Sequence, residues 1–297
     1  MRAVAAAAGR RVWAVSGLVV IAALAAYTAH GVTASNHLDQ GGAWGSQTRT
    51  VTIAQQVTSL NVQSDGAPVQ VTGAPVSRVR VSETFGVAPG SSTPPVTAVA
   101  RNGQLVVGGA GCDSNDDCEN FVLTVPRDMH VTVASDGGPV AVSDLASVNL
   151  NSGGGSISAT GIHGPAEVSS DGGPLQLSDV TGPLQADSGG GSLDASGLTV
   201  ATATISTDGG PAQVDGSIAT LYVQTGGGSA AVSLATAPDT VTVDSDGGPA
   251  GLTVPGGPYA VATNSDGGPQ SVTISASSSS VHSITVSTGG GSLQIQP

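Results

Sequence analysis

From residue 134 onward, apolar and polar positions alternate in short runs, and glycine cuts the runs at regular intervals. Residues 139–144 set Val140 and Val142 on one side, and residues 148–151 set Val148 and Leu150 there. The same reading pairs Leu175 with Leu177, Leu184 with Ala186, Ala212 with Val214, Leu221 with Val223 and Val241 with Val243. Val272 with Ile274, Ile284 with Val286 and Leu293 with Ile295 complete the series. A period of two over such short runs predicts half-buried strands. The punctuation is Ser or Thr, then Asp-Gly-Gly-Pro or Gly-Gly-Gly-Ser. It falls at Asp136, Gly153, Asp171, Gly189, Asp208, Gly226, Asp246, Asp266 and Gly289, spaced by 17, 18, 18, 19, 18, 20, 20 and 23 residues.

A unit of 18–20 residues with two strands and a glycine corner predicts a parallel β-solenoid, one unit per rung, with rungs about 4.8 Å apart. The glycines are expected to supply φ > 0 at tight corners, and Pro to open a strand where a ladder N–H can be missing. Asp-type and Gly-type turns alternate as far as Gly226, which separates carboxylates that would otherwise repel on neighbouring rungs. Asp246 and Asp266 then follow one another directly, as if the two turn types were interchangeable.

Between residues 49 and 127 the alternation persists in less regular form, with strands expected at 50–54, 59–63, 68–72, 77–84, 96–100, 104–107 and 121–125. Asn102-Gly103 predicts a two-residue hairpin turn. Arg78 and Arg80 alternate with Val79 and Val81 and fall on a solvent face. Ser64-Asp65-Gly66-Ala67-Pro68 is a degenerate copy of the later turn. The expected organisation is therefore a β region over 49–133, containing a Cys pair, followed by Gly-rich solenoid repeats over 134–297.

The N-terminus has a different pattern. Residues 12–29 are eighteen positions without a formal charge, preceded by Arg10 and Arg11. As a helix they would span about 27 Å, enough for the hydrocarbon core. Arg on the N-terminal side predicts residues 1–11 inside the cell and the remainder outside, at the cell membrane. A cleaved signal peptide, with Val32-Thr33-Ala34 as its processing site, is the competing reading and would give a secreted protein. Residues 30–48 show no periodicity and read as a tether, with His30 and His37 incidental to it.

Composition sharpens this picture. Gly numbers 44 of 297 residues and aromatics seven, so the interior must be narrow and lined by small aliphatics. Lys is absent, and residues 128–297 hold fourteen acids and no Lys or Arg, a net charge of −14 out of −13 for the whole chain. A surface without cations cannot neutralise phosphates, which excludes nucleic acid as a partner of that region.

Cys112 and Cys118, the only cysteines, stand in GCDSNDDCEN. Outside the membrane such a pair reads as a disulfide closing a small loop. Asp113, Asn115 and Asp117 alternate as in a calcium loop, but Cys118 and Thr124 occupy the positions that need Gly and a bidentate Glu. Two thiols with no His nearby do not complete a zinc site. No metal, cofactor or catalytic residue is expected.

A membrane segment, a strand-rich region with a Cys pair, Phe121 through Asp128 and then Gly-containing strand repeats together resemble the bacterial "putative adhesin" β-strand-repeat family, a single-pass group common in actinobacteria. The resemblance covers about residues 10–297 and implies surface exposure and a β-repeat fold; its turns usually read Gly-Asp, where this chain has DGGP or GGGS. It supplies no catalytic residues.

The function expected is a non-catalytic, membrane-anchored extracytoplasmic role, adhesin-like or structural, with an envelope or surface protein or polysaccharide as ligand. An accessory or sensory membrane protein in envelope stress signalling is the alternative. A β-helix enzyme acting on polysaccharide is a second, with Asp187, Asp194, Asp215 and Asp244 as outward carboxylates. Against the enzyme stands the lack of cations and aromatic platforms, and His163 and His282 lie near turns with no triad around them.

Overall fold

The computed structural model describes residues 34–38, 45–87, 97–109 and 120–297. The apolar stretch 12–29, His30, Cys112 and Cys118 lie outside these residues. Among the described residues every regular element is a strand, and no helix is long and apolar enough to cross a membrane. The chain is all-β, as its alternation requires.

The first strands are β1 (Ala34–Leu38), β2 (Gly45–Thr52), β3 (Ser59–Ser64), β4 (Val69–Ala74), β5 (Arg80–Val87), β6 (Thr97–Arg101), β7 (Gln104–Gly109) and β8 (Asn120–Pro126). β9 (His130–Ser135), β10 (Val140–Leu145), β11 (Ser147–Ser152), β12 (Ile157–Ile162), β13 (Ala166–Ser170), β14 (Leu175–Ser178) and β15 (Leu184–Ser188) come next. Two long strands, β16 (Leu193–Thr207) and β17 (Ala212–Thr225), precede β18 (Ala230–Leu234), β19 (Thr240–Ser245) and β20 (Ala250–Thr253). The last are β21 (Ala260–Asn264), β22 (Gln270–Val272), β23 (Ser283–Thr288) and β24 (Leu293–Gln296). β1 and the start of β2 fall inside the segment expected to be a tether. They pair antiparallel, Ala34 opposite Val51, so cross-strand partners order a stretch that has no periodicity of its own.

Successive repeats pair in parallel, each strand with the second one after it: Val140 lies opposite Ile157, Ile157 opposite Leu175, and Ala166 opposite Leu184. The offset equals the spacing of the turn motif, so each repeat contributes one strand to each of two ladders. The first ladder runs β7–β3–β9–β11–β13–β15–β16–β17–β19–β23–β21. The second runs β8–β4–β10–β12–β14–β16–β17–β18–β20–β24–β22. β16 and β17 are long enough to pass through both ladders, which makes a single 24-stranded sheet. Antiparallel strands flank one end: β6 beside β7 through the Asn102-Gly103 turn (φ 50° and 79°), and β5, β2 and β1 beyond β8. β9 bridges the position expected as a boundary near residue 133, pairing with β3 on one side and β11 on the other.

At both ends, order in space departs from order in sequence. β3–β4 lies between β7–β8 and β9–β10. β23–β24 lies between β19–β20 and β21–β22. The second insertion corrects the inference of interchangeable turns. The Gly289 turn sits between those of Asp246 and Asp266: Gly289 N–H donates to Ser245 O, and a Cβ on Gly268 would meet Gly291 O. From Asp136 to Asp266 the turns therefore alternate strictly in space. The long last spacing of 23 residues is the return path of the chain.

The inward rows are those the alternation predicts. Val140, Val142, Val148, Leu150, Leu175, Leu177, Leu221, Val223, Ile284, Val286, Leu293 and Ile295 are all buried. The exception is Val272 with Ile274: Val272 is 40 % exposed and Ile274 half-buried, because among the described residues β22 is the outermost strand of its ladder. Among the residues whose burial is described, the buried rings lie near the two ends, Phe121 on β8 and Tyr259 just before β21; Tyr222, between them, faces solvent. The described interior between them is filled by Ala, Val, Leu, Ile and Met129.

Candidate functional site

The glycines of the turns do a different job from the one expected. Among the described motif glycines only Gly66, Gly267 and Gly290 have positive φ. The third glycine instead faces the backbone of the next layer. A Cβ on Gly191 would lie 2.2 Å from Gly173 O, and one on Gly210 would lie 2.0 Å from Gly191 O. In Gly-type turns the first glycine is equally confined, since a Cβ on Gly189 would sit 2.2 Å from Asp171 O. The middle glycine, Gly190 for example, meets nothing within 4 Å. Close stacking, more than corner geometry, is what excludes side chains here.

The residue before each turn forms a buried column. Ser64, Ser135, Ser152, Ser170, Ser188, Thr207, Thr225, Ser245, Thr288 and Ser265, in spatial order, are each no more than 4 % exposed. Most donate to the carbonyl three residues on: Ser188 to Gly191 O at 3.0 Å, Thr207 to Gly210 O at 2.6 Å, Thr225 to Gly228 O at 2.8 Å. Ser152 and Ser170 instead accept from the N–H of Gly155 and Gly173, each at 2.9 Å. A buried hydroxyl is costly unless bonded, so each one both satisfies itself and fixes its turn.

A second corner repeats the theme. Asp144 and Asp179 adopt φ of 57° and 55°, the left-handed region that Asp tolerates, and the glycines stacked on them, Gly161 and Gly197, have φ of 66° and 63°. The Asp179 carboxylate would lie 2.8 Å from a Cβ on Gly197, so the larger residue of one layer fills the space left by the smaller one of the next.

These internal constraints leave two outward faces. On the first ladder the register stacks Thr132, Asn149, Glu167, Gln185, Thr204, Tyr222 and Thr242 in one column. Asn151, Ser169, Asp187, Ser206, Gln224, Asp244 and Ser287 form the column beside it. Hydrogen bonds knit them: Asn149 Nδ2 donates to Glu167 Oε2 at 2.7 Å, Gln185 Nε2 to Asp187 Oδ2 at 3.1 Å, and Tyr222 OH to Gln224 Oε1 at 3.1 Å. A shallow cavity of about 390 Å³ runs across five layers of this face, from His130 past Asn149, Pro165 and Pro183 to Thr202 and Thr204. On the second ladder Thr124, Thr72, Ser143, Thr160, Ser178 and Ser196 place a hydroxyl on six consecutive layers. Another cavity, of about 310 Å³, lies where the loops around Gln56, Val76 and Asp128 meet.

The outward carboxylates are not gathered. Asp187 and Asp244 share a column but lie three strands apart, roughly 14 Å at about 4.8 Å per strand. Asp194 is exposed on the other ladder, and Asp215 accepts from Gly197 N–H at 3.0 Å. Ser287 Oγ donates to Asp244 Oδ1 at 2.5 Å. His163 is exposed, and His282 holds Pro238 O at 2.7 Å through Nδ1 beside the Tyr259 ring. Tyr259 OH donates to Pro255 O at 2.8 Å, and burial pushes its phenol above the ordinary value of 10.0. Among the described residues no three His, Cys, Asp or Glu side chains gather as a metal site.

Two features escape a reading of the sequence. The hydroxyl column is visible there only as Ser or Thr in a motif. Glu83 is 1 % exposed, in register with Arg49 on one neighbouring strand and Phe121 on the other. Its signal is in the sequence, since Val79, Val81 and Glu83 share one phase of the alternation.

No family profile matches the chain, and no curated protein does. Three solved structures align over most of it. One is a "putative adhesin" from Parabacteroides merdae, 12 % identical over 88 % of this chain and 99 % of that one, with a TM-score of 0.49. Another, a "putative lipid binding protein" from Parabacteroides distasonis, is 10 % identical over 83 % and 96 % of the two chains, with a TM-score of 0.44. A "putative cell adhesion protein" from Clostridium sporogenes is 9 % identical over 84 % and 99 %, with a TM-score of 0.24.

Proposed function

We propose that the chain is a non-catalytic, extracytoplasmic binding protein, held at the cell membrane by residues 12–29, whose ligand is an envelope or surface polymer. The observation that carries this is the outward face of the first ladder. Two columns, mostly of Thr, Ser, Asn and Gln with Tyr222 and the carboxylates Glu167, Asp187 and Asp244 among them, present hydrogen-bond donors and acceptors at a constant interval. Such a face suits a hydroxyl-rich polymer bound through many weak contacts, whose combined strength exceeds that of any one. The carboxylates are dispersed and locally bonded, which supports binding over hydrolysis.

The reading includes the architecture. The two ladders are the walls of a parallel β-solenoid with 18–20 residues per coil, supported by the equality of pairing offset and motif spacing. Eleven parallel layers at about 4.8 Å predict a stack about 53 Å long, which small-angle scattering of residues 31–297 measures.

Binding of that fragment to peptidoglycan, envelope polysaccharide and host matrix tests the ligand class. We expect retention on a polysaccharide, reduced by the double change Gln185→Ala and Tyr222→Ala with the strand signal intact; no retention on any of the three rejects an adhesive role. Membrane fractionation with N-terminal sequencing tests the anchor. A chain beginning at residue 1 in the membrane fraction supports it, and a chain beginning after Ala34 in the medium makes residues 12–29 a signal peptide.

A further inference from the structure

The slot occupied by β23 and β24 has chemistry of its own. It is bounded by β19–β20 on one side and β21–β22 on the other, and pairs with both through complete parallel registers, Val241–Ile284–Val261 in one ladder and Leu252–Ile295–Val272 in the other. Both flanking turns are of the Asp type. A Cβ on Gly289 would lie 1.9 Å from Asp246 O, and one on Gly291 would lie 2.1 Å from Gly248 O. In the Gly-type turn between them, Gly289 and Gly291 have no side chain to meet those two carbonyls. Residues 283–296 carry that turn, four apolar residues that fill the interior (Ile284, Val286, Leu293, Ile295) and no charge, so they separate Asp246 from Asp266 without adding a carboxylate.

The segment enters this slot out of sequence order. The polypeptide first lays down the outer layer, β21–β22, and returns through residues 273–282, six of which are exposed, Val281 to 86 %. Seating it is therefore a step separate from the stacking of β9 to β20, and it is tied to the rest by an exposed Ser-rich connection. Exchange of an element across such a connection replaces every contact with an identical one.

We propose that the slot is an intermolecular binding site and that its partner is a second copy of the chain, which donates residues 283–296 in place of the resident segment. The inference stands on strand pairing and turn chemistry and is independent of the polymer ligand proposed above.

The test uses the full-length chain and, as probe, a fluorescent synthetic peptide of residues 283–297. After mild warming together and gel filtration, the native peptide is expected to stay with the protein. A peptide carrying Gly289→Ala and Gly291→Ala is expected to be retained at least about tenfold less, because the host slot is unchanged and only the fit of the turn is lost. Two differently tagged full-length chains treated in the same way are expected to yield mixed dimers that survive dilution. Absence of peptide retention, equal retention of the two peptides, or absence of mixed dimers each overturns the proposal.

Discussion

A side chain of one carbon separates tolerated from forbidden positions in this molecule. Gly190 and Gly191 are neighbours in one turn, yet a methyl group at the first meets nothing within 4 Å and at the second would lie 2.2 Å from a backbone carbonyl. Overpacking against backbone, which has no rotamer to yield, costs about 3 kcal/mol. Gly191→Ala is expected to lower the unfolding free energy measured in urea by an amount of that size and Gly190→Ala to change it by about 0.5 kcal/mol or less; equal effects would show that the turns are not closely stacked. The hydroxyl column makes a second prediction. Ser188→Ala leaves Gly191 O without its donor and removes a bond worth about 1 to 2 kcal/mol. Ser188→Thr should be close to neutral, since Thr207, Thr225 and Thr288 occupy the same position in other layers. Thermal unfolding of the two variants separates a hydrogen-bonding role from simple space filling.

The elements differ most at the ends of the ladders. In the middle each strand is paired on both sides and buries at least two apolar residues, whereas among the described residues β21 and β22 are paired on one side only. Tyr259 compensates at this end by closing the interior with a ring and donating to Pro255 O. Its phenol is held above 10.0 by burial, so the folded state keeps the proton at a pH where the unfolded chain has released it. The stability tied to that proton is complete below the unfolded value and is lost as pH rises through the folded one. Urea unfolding between pH 8 and 11 should therefore show a decline at the alkaline end, and Tyr259→Phe should flatten it while costing about 1 kcal/mol at pH 8 for the missing bond. A decline of the same slope in the variant would place its origin elsewhere.

At the scale of the whole molecule, charge is distributed by the alternation of turns. Asp136, Asp171, Asp208, Asp246 and Asp266 fall on every second layer, about 9.6 Å apart, with a Gly-type turn between each pair. Carboxylates so far apart cannot share a calcium ion, which needs several oxygens at about 2.3–2.6 Å. The melting temperature is accordingly expected to be the same in calcium and in EDTA at matched ionic strength; a calcium-dependent rise would show that the turns bind metal. Spacing the carboxylates also lets a cation-free stretch carry fourteen acids in a continuous stack, because no two turn carboxylates from Asp136 to Asp266 occupy adjacent layers.

The strands, their inward residues and the period of the stack are legible in the sequence, because a strand has a side-chain period of two and each repeat must bury its apolar face on the next. Leu175 with Leu177 and Leu221 with Val223 could be assigned inward before any neighbour was known. The order of the layers could not. Asp246 and Asp266 are consecutive in the chain, and only the return of residues 283–296 between them restores the alternation. The purpose of the glycines was hidden for the same reason. A residue spared for its backbone angles and one spared for the carbonyl of a neighbouring layer look alike in sequence, and Gly190 beside Gly191 shows that adjacent glycines can differ in this way. Burial of Glu83 and of the Ser and Thr column likewise depended on which strands came to lie beside them. Local periodicity determines which residues point inward; which layer they meet there is a long-range choice, decided by how closely two backbones can pack.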